Sequence, residues 1–193
     1  ADVVVESFRP GVMKRLGFDP ERLLDAYPHL VICSISGYGQ TGPMRDHPGH
    51  DLTYQAVSGT LSLGPQEQGT PLVPGVLHAD LAGGALTAAM RICAALVERM
   101  RTGRGVWLDV SMADSTLALN APYVAVAGFH GTLPKPGGEL LTGGSAQYNV
   151  YRCKDGKSLA LAPIEPKFWS EFCRVARVSS DIALDELRVV FMK

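Results

Sequence analysis

Runs of β-branched residues alternate with helix-like segments along the first third of the chain. ADVVV at the N-terminus and VICSISGYG from Val31 onward each predict a buried strand. Between them, Gly17 and Pro20 separate two short helical turns. Strand, helix and strand with glycine at the exit is typical of an α/β fold.

The strongest helical pattern begins near Asp80, continues through small and apolar residues, and ends in basic residues before Gly103. Acid at the first turn and base at the last suit the helix dipole. VWLDVS then predicts a strand, with Ser111 or Asp114 as the cap of a further, mostly apolar helix.

A Gly/Pro-rich connection separates these elements from the last third of the chain. There YNVYRCKDGKSLALAPI alternates and turns at Asp155-Gly156, which predicts a hairpin. A helix is expected after Pro166, because Phe168, Trp169, Phe172 and Cys173 recur at helical spacing.

The stretch PGHDLTYQAVSGTLSL, residues 48–63, permits two interpretations. In the first, a turn at Pro48 and Gly49 caps a helix that carries its apolar residues from Leu52 to Leu63 inward. In the second, His50 is an acid/base group at a helix N-terminus, since histidine titrates near neutrality. The spacing alone does not decide between them.

Charge and cysteine content narrow the function classes. The 18 basic and 19 acidic residues nearly cancel, so no overall field attracts nucleic acid or an anionic membrane. No uninterrupted apolar stretch approaches the roughly 20 residues of a membrane span. The four cysteines contain no CxxC pair, which argues against a zinc site and favours reduced thiols. We therefore expect a cytoplasmic protein with no metal and no membrane or nucleic-acid partner.

Two further groups of residues can carry chemistry. Gly83 and Gly84 follow Asp80 and allow a ligand or another backbone to approach closely. Arg9 and Arg15 lie beside the first strand, where they form either a solvated basic face or a phosphate clamp. No GxGxxG or P-loop motif occurs.

Six motifs, in order, resemble the family III CoA-transferases, a family that also contains the α-methylacyl-CoA racemases. The resemblance runs from residue 1 to about residue 175, and the last stretch from Val178 has no counterpart that we can align. The motifs are ESFRPGVMKRLG, ICSISGYGQTGP, GHDLTYQAVSG, ADLAGG, RTGRGVWLDVSMAD and YNVYRCKDGKSLALAPIEPKFW.

The resemblance implies a Rossmann-like large domain, a small domain and two chains interlocked as a homodimer. Residues 1–128 would then form part of the large CoA-binding domain, and residues 129–193 the linker and the start of the small domain. Because family chains are about twice as long, we expect this chain to be a central fragment or a truncated product.

The resemblance also implies two chemistries at one pocket. In the racemases, His50, Asp80 and Glu165 would form the proton-transfer apparatus that inverts a 2-methylacyl-CoA. In the transferases, Asp80 would attack the thioester and carry the acyl group as a mixed anhydride.

The remaining site residues also follow from the resemblance. Asp51, Tyr54, Gly83 and Gly84 would contact the substrate, with amide groups near Asp51 holding the enolate oxygen. Phe8, Arg9 and Arg15 would contact CoA, which enters as part of the substrate, so no separate cofactor is expected. A third alternative is an inactive remnant that forms dimers.

Overall fold

Three parallel strands form the sheet of the first half of the chain in the computed structural model, which describes residues 1–193. Strand β2 (Val31–Ser36) lies between β1 (Val3–Glu6) and β5 (Trp107–Ser111), as the β-branched runs predict. The remaining elements in chain order are α1 (Val12–Arg15), α2 (Pro20–Ala26), α3 (Asp51–Val57), α4 (Thr60–Leu63), β3 (Gln66–Glu67), β4 (Thr70–Pro71), a π-helical segment (His78–Leu86), α5 (Thr87–Thr102), α6 (Met112–Leu119), α7 (Ala121–His130), a 3₁₀ turn (Leu140–Thr142), β6 (Asn149–Arg152), β7 (Ser158–Leu161), α8 (Pro166–Ala176) and α9 (Leu184–Phe191).

By its internal contacts the chain divides into two compact units. The first comprises residues 1–61 and 73–125, and the second residues 62–72 and 126–193. The sequence placed the division after residue 128, and it did not anticipate that residues 62–72 belong with the second unit. The assignment of residues 1–128 to a CoA-binding domain stays a prediction.

Helix α5 covers one face of the sheet through its small residues. Ala88 and Ala95 pack against Val31, Leu108 and Val110 in the main core cluster of the first unit. Gly103 ends the helix in the left-handed conformation that glycine adopts freely, as the sequence predicts. All four cysteines are free, also as predicted.

The long helix expected near Asp80 is present, but its first nine residues form a π-helix instead of an α-helix. The wider π turn lies against α6, where a Cβ added at Gly83 would be 2.5 Å from the Thr116 hydroxyl and 2.7 Å from the Met112 carbonyl oxygen. Small residues therefore serve here to bring two helices together. π-Helical segments of this kind are frequent at functional sites.

Residues 51–63 do not form one buried apolar helix. Gly59, at φ +79°, separates α3 from α4, and Leu52 and Val57 are 39% and 54% exposed. The buried residues of α3 are Asp51, Tyr54 and Gln55. The first interpretation of this stretch is thus wrong about which residues face inward, because the inner face of α3 meets backbone amides that need polar partners.

The single apolar helix predicted after Ser111 is instead two helices. Ser111 is the cap of α6 and accepts a hydrogen bond from the Asp114 amide at 3.1 Å. Helix α6 stops at Asn120, whose buried side-chain amide donates to the Ser58 carbonyl oxygen and the Thr60 hydroxyl. These two bonds satisfy a polar group that interrupts the apolar run.

The second unit has its own core beneath the predicted hairpin. Strands β6 and β7 pair antiparallel, and Gly156 in the turn has φ +80°. Tyr151, Trp169 and Leu187 are buried together, and the Trp169 indole donates to the Ser180 carbonyl oxygen at 2.8 Å. The C-terminal stretch from Val178 forms α9 and supplies the fully buried Leu187 to this core.

The helical stretch from His78 to Thr102 is, by its length and composition alone, sufficient to cross a membrane. Asp80 and Arg91 interrupt its apolar residues, so the expectation that no uninterrupted apolar stretch reaches the roughly 20 residues of a span is not contradicted. A mostly buried core helix of a water-soluble protein meets the same criterion. The absence of a membrane partner stays a prediction.

Candidate active site

His50 caps the N-terminus of α3, where the loop from β2 ends. Its backbone amide donates to the Thr53 hydroxyl at 2.9 Å, and that hydroxyl donates back to the His50 carbonyl oxygen at 2.7 Å. The extended conformation of His50 (φ −136°) starts the helix, and its imidazole is exposed. His50 thus occupies the cap position that the first interpretation gave to the turn at Pro48 and Gly49, and its acid/base role stays a prediction.

Asp51 links α3 to the turn that carries Asp80. One oxygen of its carboxylate accepts hydrogen bonds from the amides of Ala79 at 2.8 Å and Asp80 at 3.0 Å. The other accepts from the Gln55 side-chain amide at 2.5 Å. Only 6% of Asp51 is exposed, so its side chain faces the π-helical turn. A substrate contact through its backbone amide stays a prediction.

Asp80 lies in the first turn of the π-helix, whose cap position is Leu77. Partial burial raises the pKa of the Asp80 carboxyl, the nearby negative charge of Asp51 raises it further, and His50 lowers it. The structure thus brings His50, Asp51 and Asp80 within electrostatic reach of one another. A carboxyl with a raised pKa beside a histidine is suited to proton transfer.

A buried glutamine extends this group towards His78. Gln55 is 1% exposed. Its side-chain oxygen Oε1 accepts a hydrogen bond from Nδ1 of the His78 ring at 3.3 Å, and its side-chain amide donates to Asp51. No local pattern marks Gln55 or His78, because the contact joins residues that are 23 positions apart in the chain.

The Tyr54 ring explains why glycines occupy two positions near the site. A Cβ added at Gly37 or at Gly49 would each be 2.4 Å from the Tyr54 Cε1 atom, so neither position has room for a side chain. Tyr38 packs edge-on against Tyr54, with their ring centroids 5.2 Å apart. Burial raises the pKa of the Tyr54 phenol, Asp80 contributes to the rise, and Arg9 opposes it. Tyr54 therefore lies within electrostatic reach of both groups.

Gly83 and Gly84 face α6 in this structure. A Cβ at Gly84 would be 3.1 Å from the Met112 Cγ atom, and the Gly83 contacts described above involve α6 as well. Of the two explanations for this glycine pair, these contacts favour the approach of another backbone. A substrate contact at Gly83 and Gly84 stays a prediction without support from this packing.

Basic side chains gather around the loop after β1. Arg9 and Lys14 line a cavity of about 300 Å³ together with Arg45 from the loop before α3. The guanidinium groups of Arg15 and Arg45 both lie within 4 Å of the position of a Cβ added at Gly11. Lys14 is paired with Asp19 at 2.9 Å, whereas Arg9 and Arg15 have no such ion pair recorded and are exposed.

Arg45 is a member of this basic group that sequence reasoning missed. It lies in the segment before α3, for which the sequence predicts a loop and no function. Its ion pair with Asp46, at 3.6 Å, is exposed. Phe8, the third residue predicted to contact CoA, is 49% exposed beside the same loop. The same cavity is also lined by Glu6, Asp19 and Glu21, so phosphate binding by this basic group stays a prediction.

Glu165 lies in the second unit, at the cap position of α8. Its carbonyl oxygen accepts hydrogen bonds from the amides of Phe168 and Trp169, and its side chain is exposed without a capping bond. Within its own unit it is thus an exposed acid at a helix start. Its predicted part in the chemistry of His50 and Asp80 stays a prediction.

No group of three or more His, Cys, Asp or Glu side chains is arranged to hold a metal ion. The chemistry that the site can perform with its own groups is proton transfer by His50 and Asp80, or nucleophilic attack by the Asp80 carboxylate. Both use carbonyl substrates, whose negative charge would develop near helix amide groups.

The fold and the candidate site thus define an α/β protein that has a parallel sheet and carries a carboxylate in the first turn of a helix. The model of CoA-transferase family III matches residues 1–187, and the chain belongs to this family.

Relatives within the family include both kinds of enzyme. The chain is 39% identical over 171 residues to an alpha-methylacyl-CoA racemase of Mus musculus, which covers 88% of the chain and 45% of the relative. It is 47% identical over 119 residues to an acetyl-CoA:oxalate CoA-transferase of Acetobacter aceti, which covers 61% of the chain and 30% of the relative. The chain therefore spans less than half the length of these relatives.

A solved structure supports the fold over the whole chain. The crystal structure of a CAIB/BAIF family protein from Brucella suis matches with a TM-score of 0.77 at 28% identity. The match covers 100% of this chain and 50% of that chain. The α/β fold predicted from the resemblance is confirmed, and the chain corresponds to about half of that structure.

Proposed function

We propose that the protein acts on acyl-CoA thioesters and racemises 2-methylacyl-CoA. The observation that carries this proposal is the link made by Asp51, which joins the helix start at His50 to the turn that bears Asp80. Two acid/base groups held at one place are what inversion of a single carbon requires, because one must remove the proton and the other must return it. The similarity to racemases over most of the chain agrees with it.

In the proposed reaction, one of the pair removes the α-proton and the C–H electrons form an enolate. The other group then protonates the opposite face of the same carbon, so that the two protonation states exchange and no bond to CoA breaks. The raised pKa of Asp80 brings this carboxyl closer to the range in which it can both accept and donate a proton. Amide groups at the start of α3 would stabilise the enolate oxygen by about 3 kcal/mol per donor.

Exchange of the α-proton with solvent tests this proposal. In deuterated water the purified protein should introduce deuterium at the α-position of a 2-methylacyl-CoA with no acceptor acid present. His50→Ala should abolish the exchange and leave the fold intact. His29→Ala is the matched control, since His29 is also exposed and only its backbone carbonyl makes a recorded contact. Undiminished exchange in His50→Ala would remove His50 from the mechanism.

CoA transfer through Asp80 is the second candidate. The Asp80 carboxylate would attack the thioester carbonyl, the C–S bond would break, and CoA would leave as the thiolate. The CoA thiolate would then attack the Asp80 carbonyl of this anhydride and release the donor acid, and an acceptor carboxylate would take CoA from the Asp80 thioester by the same two steps in reverse. The 47% identity to an acetyl-CoA:oxalate CoA-transferase favours this candidate. Hydroxylamine should trap the acyl group on Asp80, and trapping without deuterium exchange would replace the racemase proposal by this one.

Binding of CoA is common to both candidates. The exposed side chains of Arg9 and Arg15 support contacts with the CoA phosphates at the basic group. Glu165→Gln is a separate test, which shows whether the acid of the second unit contributes to turnover. A purified chain that binds no acyl-CoA would favour the third alternative, an inactive remnant.

A further inference from the structure

Asp51 is a buried carboxylate that does not belong to the proposed proton-transfer pair. Asp51 is 6% exposed, and a carboxylate in such a place is costly unless its oxygens are hydrogen-bonded. All of its recorded bonds come from groups that surround Asp80 or support α3: the amides of Ala79 and Asp80 on one oxygen, and Gln55 on the other. Its bonds are thus directed at the element that carries Asp80.

The π-helical turn has no cap of its own. Leu77 occupies the cap position and offers no side-chain acceptor to the first amides of the helix. The His78 and Leu81 amides donate to the carbonyl oxygens of Val76 and Leu77, so Ala79 and Asp80 are the first-turn amides that need an acceptor from elsewhere. Asp51, on a different helix, supplies the missing acceptor, and its negative charge also suits the positive end of the helix dipole.

We infer that Asp51 is a positioning residue whose carboxylate fixes the first turn of the π-helix and so holds Asp80 beside His50. Gln55 supports it by fixing the second carboxylate oxygen while contacting His78. This inference rests on the proposed function only for its effect on turnover, because the hydrogen bonds themselves can be observed without any reaction.

The charge of Asp51 gives the role a signature that a merely structural contact lacks. From α3 the titratable groups that face Asp80 are His50, Asp51 and Tyr54. From α6 the nearby side chains, Met112 and Thr116, are uncharged. Since Asp51 raises the pKa of the Asp80 carboxyl, a neutral isostere at position 51 should lower that pKa.

Two substitutions separate the hydrogen bonds from the charge. Asp51→Asn keeps an acceptor oxygen for the amides but removes the negative charge, whereas Asp51→Ala removes both. Gln55→Leu is the comparison variant: it removes the bonds to the second carboxylate oxygen and to His78 Nδ1, and it leaves in place the oxygen that accepts from the Ala79 and Asp80 amides.

Nuclear magnetic resonance of the purified chain provides the readout. In Asp51→Ala the amides of Ala79 and Asp80 should exchange with solvent about tenfold faster or more, while the sheet amides of Ile32 and Cys33 keep their protection. In Asp51→Asn that exchange should stay near the wild-type rate, and the carbon resonance of the Asp80 carboxyl should titrate at lower pH than in the wild-type protein. Gln55→Leu should leave the Ala79 and Asp80 amides protected.

The results distinguish this inference from the proposed function. Unchanged amide exchange in Asp51→Ala, or an unchanged Asp80 titration in Asp51→Asn, would overturn it. If Asp51→Ala fails to fold, the titration in Asp51→Asn still decides. Where exchange and titration are as expected but no α-deuterium enters the substrate, the proposed function fails and the positioning role stands. Where deuterium enters, Asp51→Asn should move the acidic limb of its pH profile to lower pH.

Discussion

Gly49→Ala should destabilise the protein, because the new methyl group has no space. The added Cβ would be 2.4 Å from Cε1 and 3.0 Å from Cζ of Tyr54, and 2.9 Å from the Thr53 hydroxyl. The Tyr54 ring has little freedom to move away, since the position of a Cβ at Gly37 is equally close to it and Tyr38 packs against it. Gly49 does not have a positive φ, so the effect isolates the contact from backbone strain.

The expected cost is that of overpacking a well-filled site, about 1–3 kcal/mol in the free energy of unfolding. With a urea dependence of about 2 kcal/mol per molar, a loss of about 2 kcal/mol lowers the unfolding midpoint by about 1 M. Urea unfolding followed by tryptophan fluorescence measures this shift. Gly75→Ala is the matched control, since nothing lies within 4 Å of its Cβ position, and it should stay within about 0.5 kcal/mol of wild type.

A double-mutant cycle with Tyr54→Leu tests the assignment of the cost to the ring. If the methyl group clashes with Tyr54, removing the ring should relieve part of the penalty and give a coupling energy of about 1 kcal/mol or more. A wild-type midpoint for Gly49→Ala, or additive effects in the cycle, would refute the reasoning.

Three further predictions follow from the charges and the exposed surface. Asp80→Asn should raise the free energy of unfolding at pH 7. Because the pKa of Asp80 is raised in the native state, its protonated carboxyl stabilises the fold fully below the ordinary pKa of 3.8, and this stabilisation is lost as the pH rises through the native pKa. An equal stability difference at pH 3 and pH 7 would contradict this. Replacing Arg9 and Arg15 together by alanine should weaken acyl-CoA binding at least about 100-fold in calorimetry, at about 1.5–3 kcal/mol per charged hydrogen bond, and more so at low salt, while the exposed Arg101→Ala should not. In sedimentation the chain should form a dimer or larger species, because Met90, Met100 and Phe129 are 66%, 79% and 85% exposed, and a stable monomer at micromolar concentration would count against the interlocked dimer.

The elements of the fold were largely readable from local sequence, because their signals lie within a few residues of one another. The β-branched run from Val31 forms the central strand, Ser111 caps α6, and Asp155-Gly156 turns the hairpin. Each of these depends on backbone preferences and short-range hydrogen bonds. The motifs also sufficed to indicate the family, which the family model confirms.

The tertiary structure decided how the candidate site is held together. The bonds from Ala79 and Asp80 to the Asp51 carboxylate join residues 28 and 29 positions apart, and no local pattern marks such a pair. The periodicity of residues 52–63 suggested apolar residues inside, whereas the neighbouring π-helix required a buried acid and a buried amide there. Propensity and periodicity describe what a segment prefers by itself. A backbone amide without a partner donates to whichever acceptor the fold brings near it, and only the folded chain shows that this acceptor is Asp51.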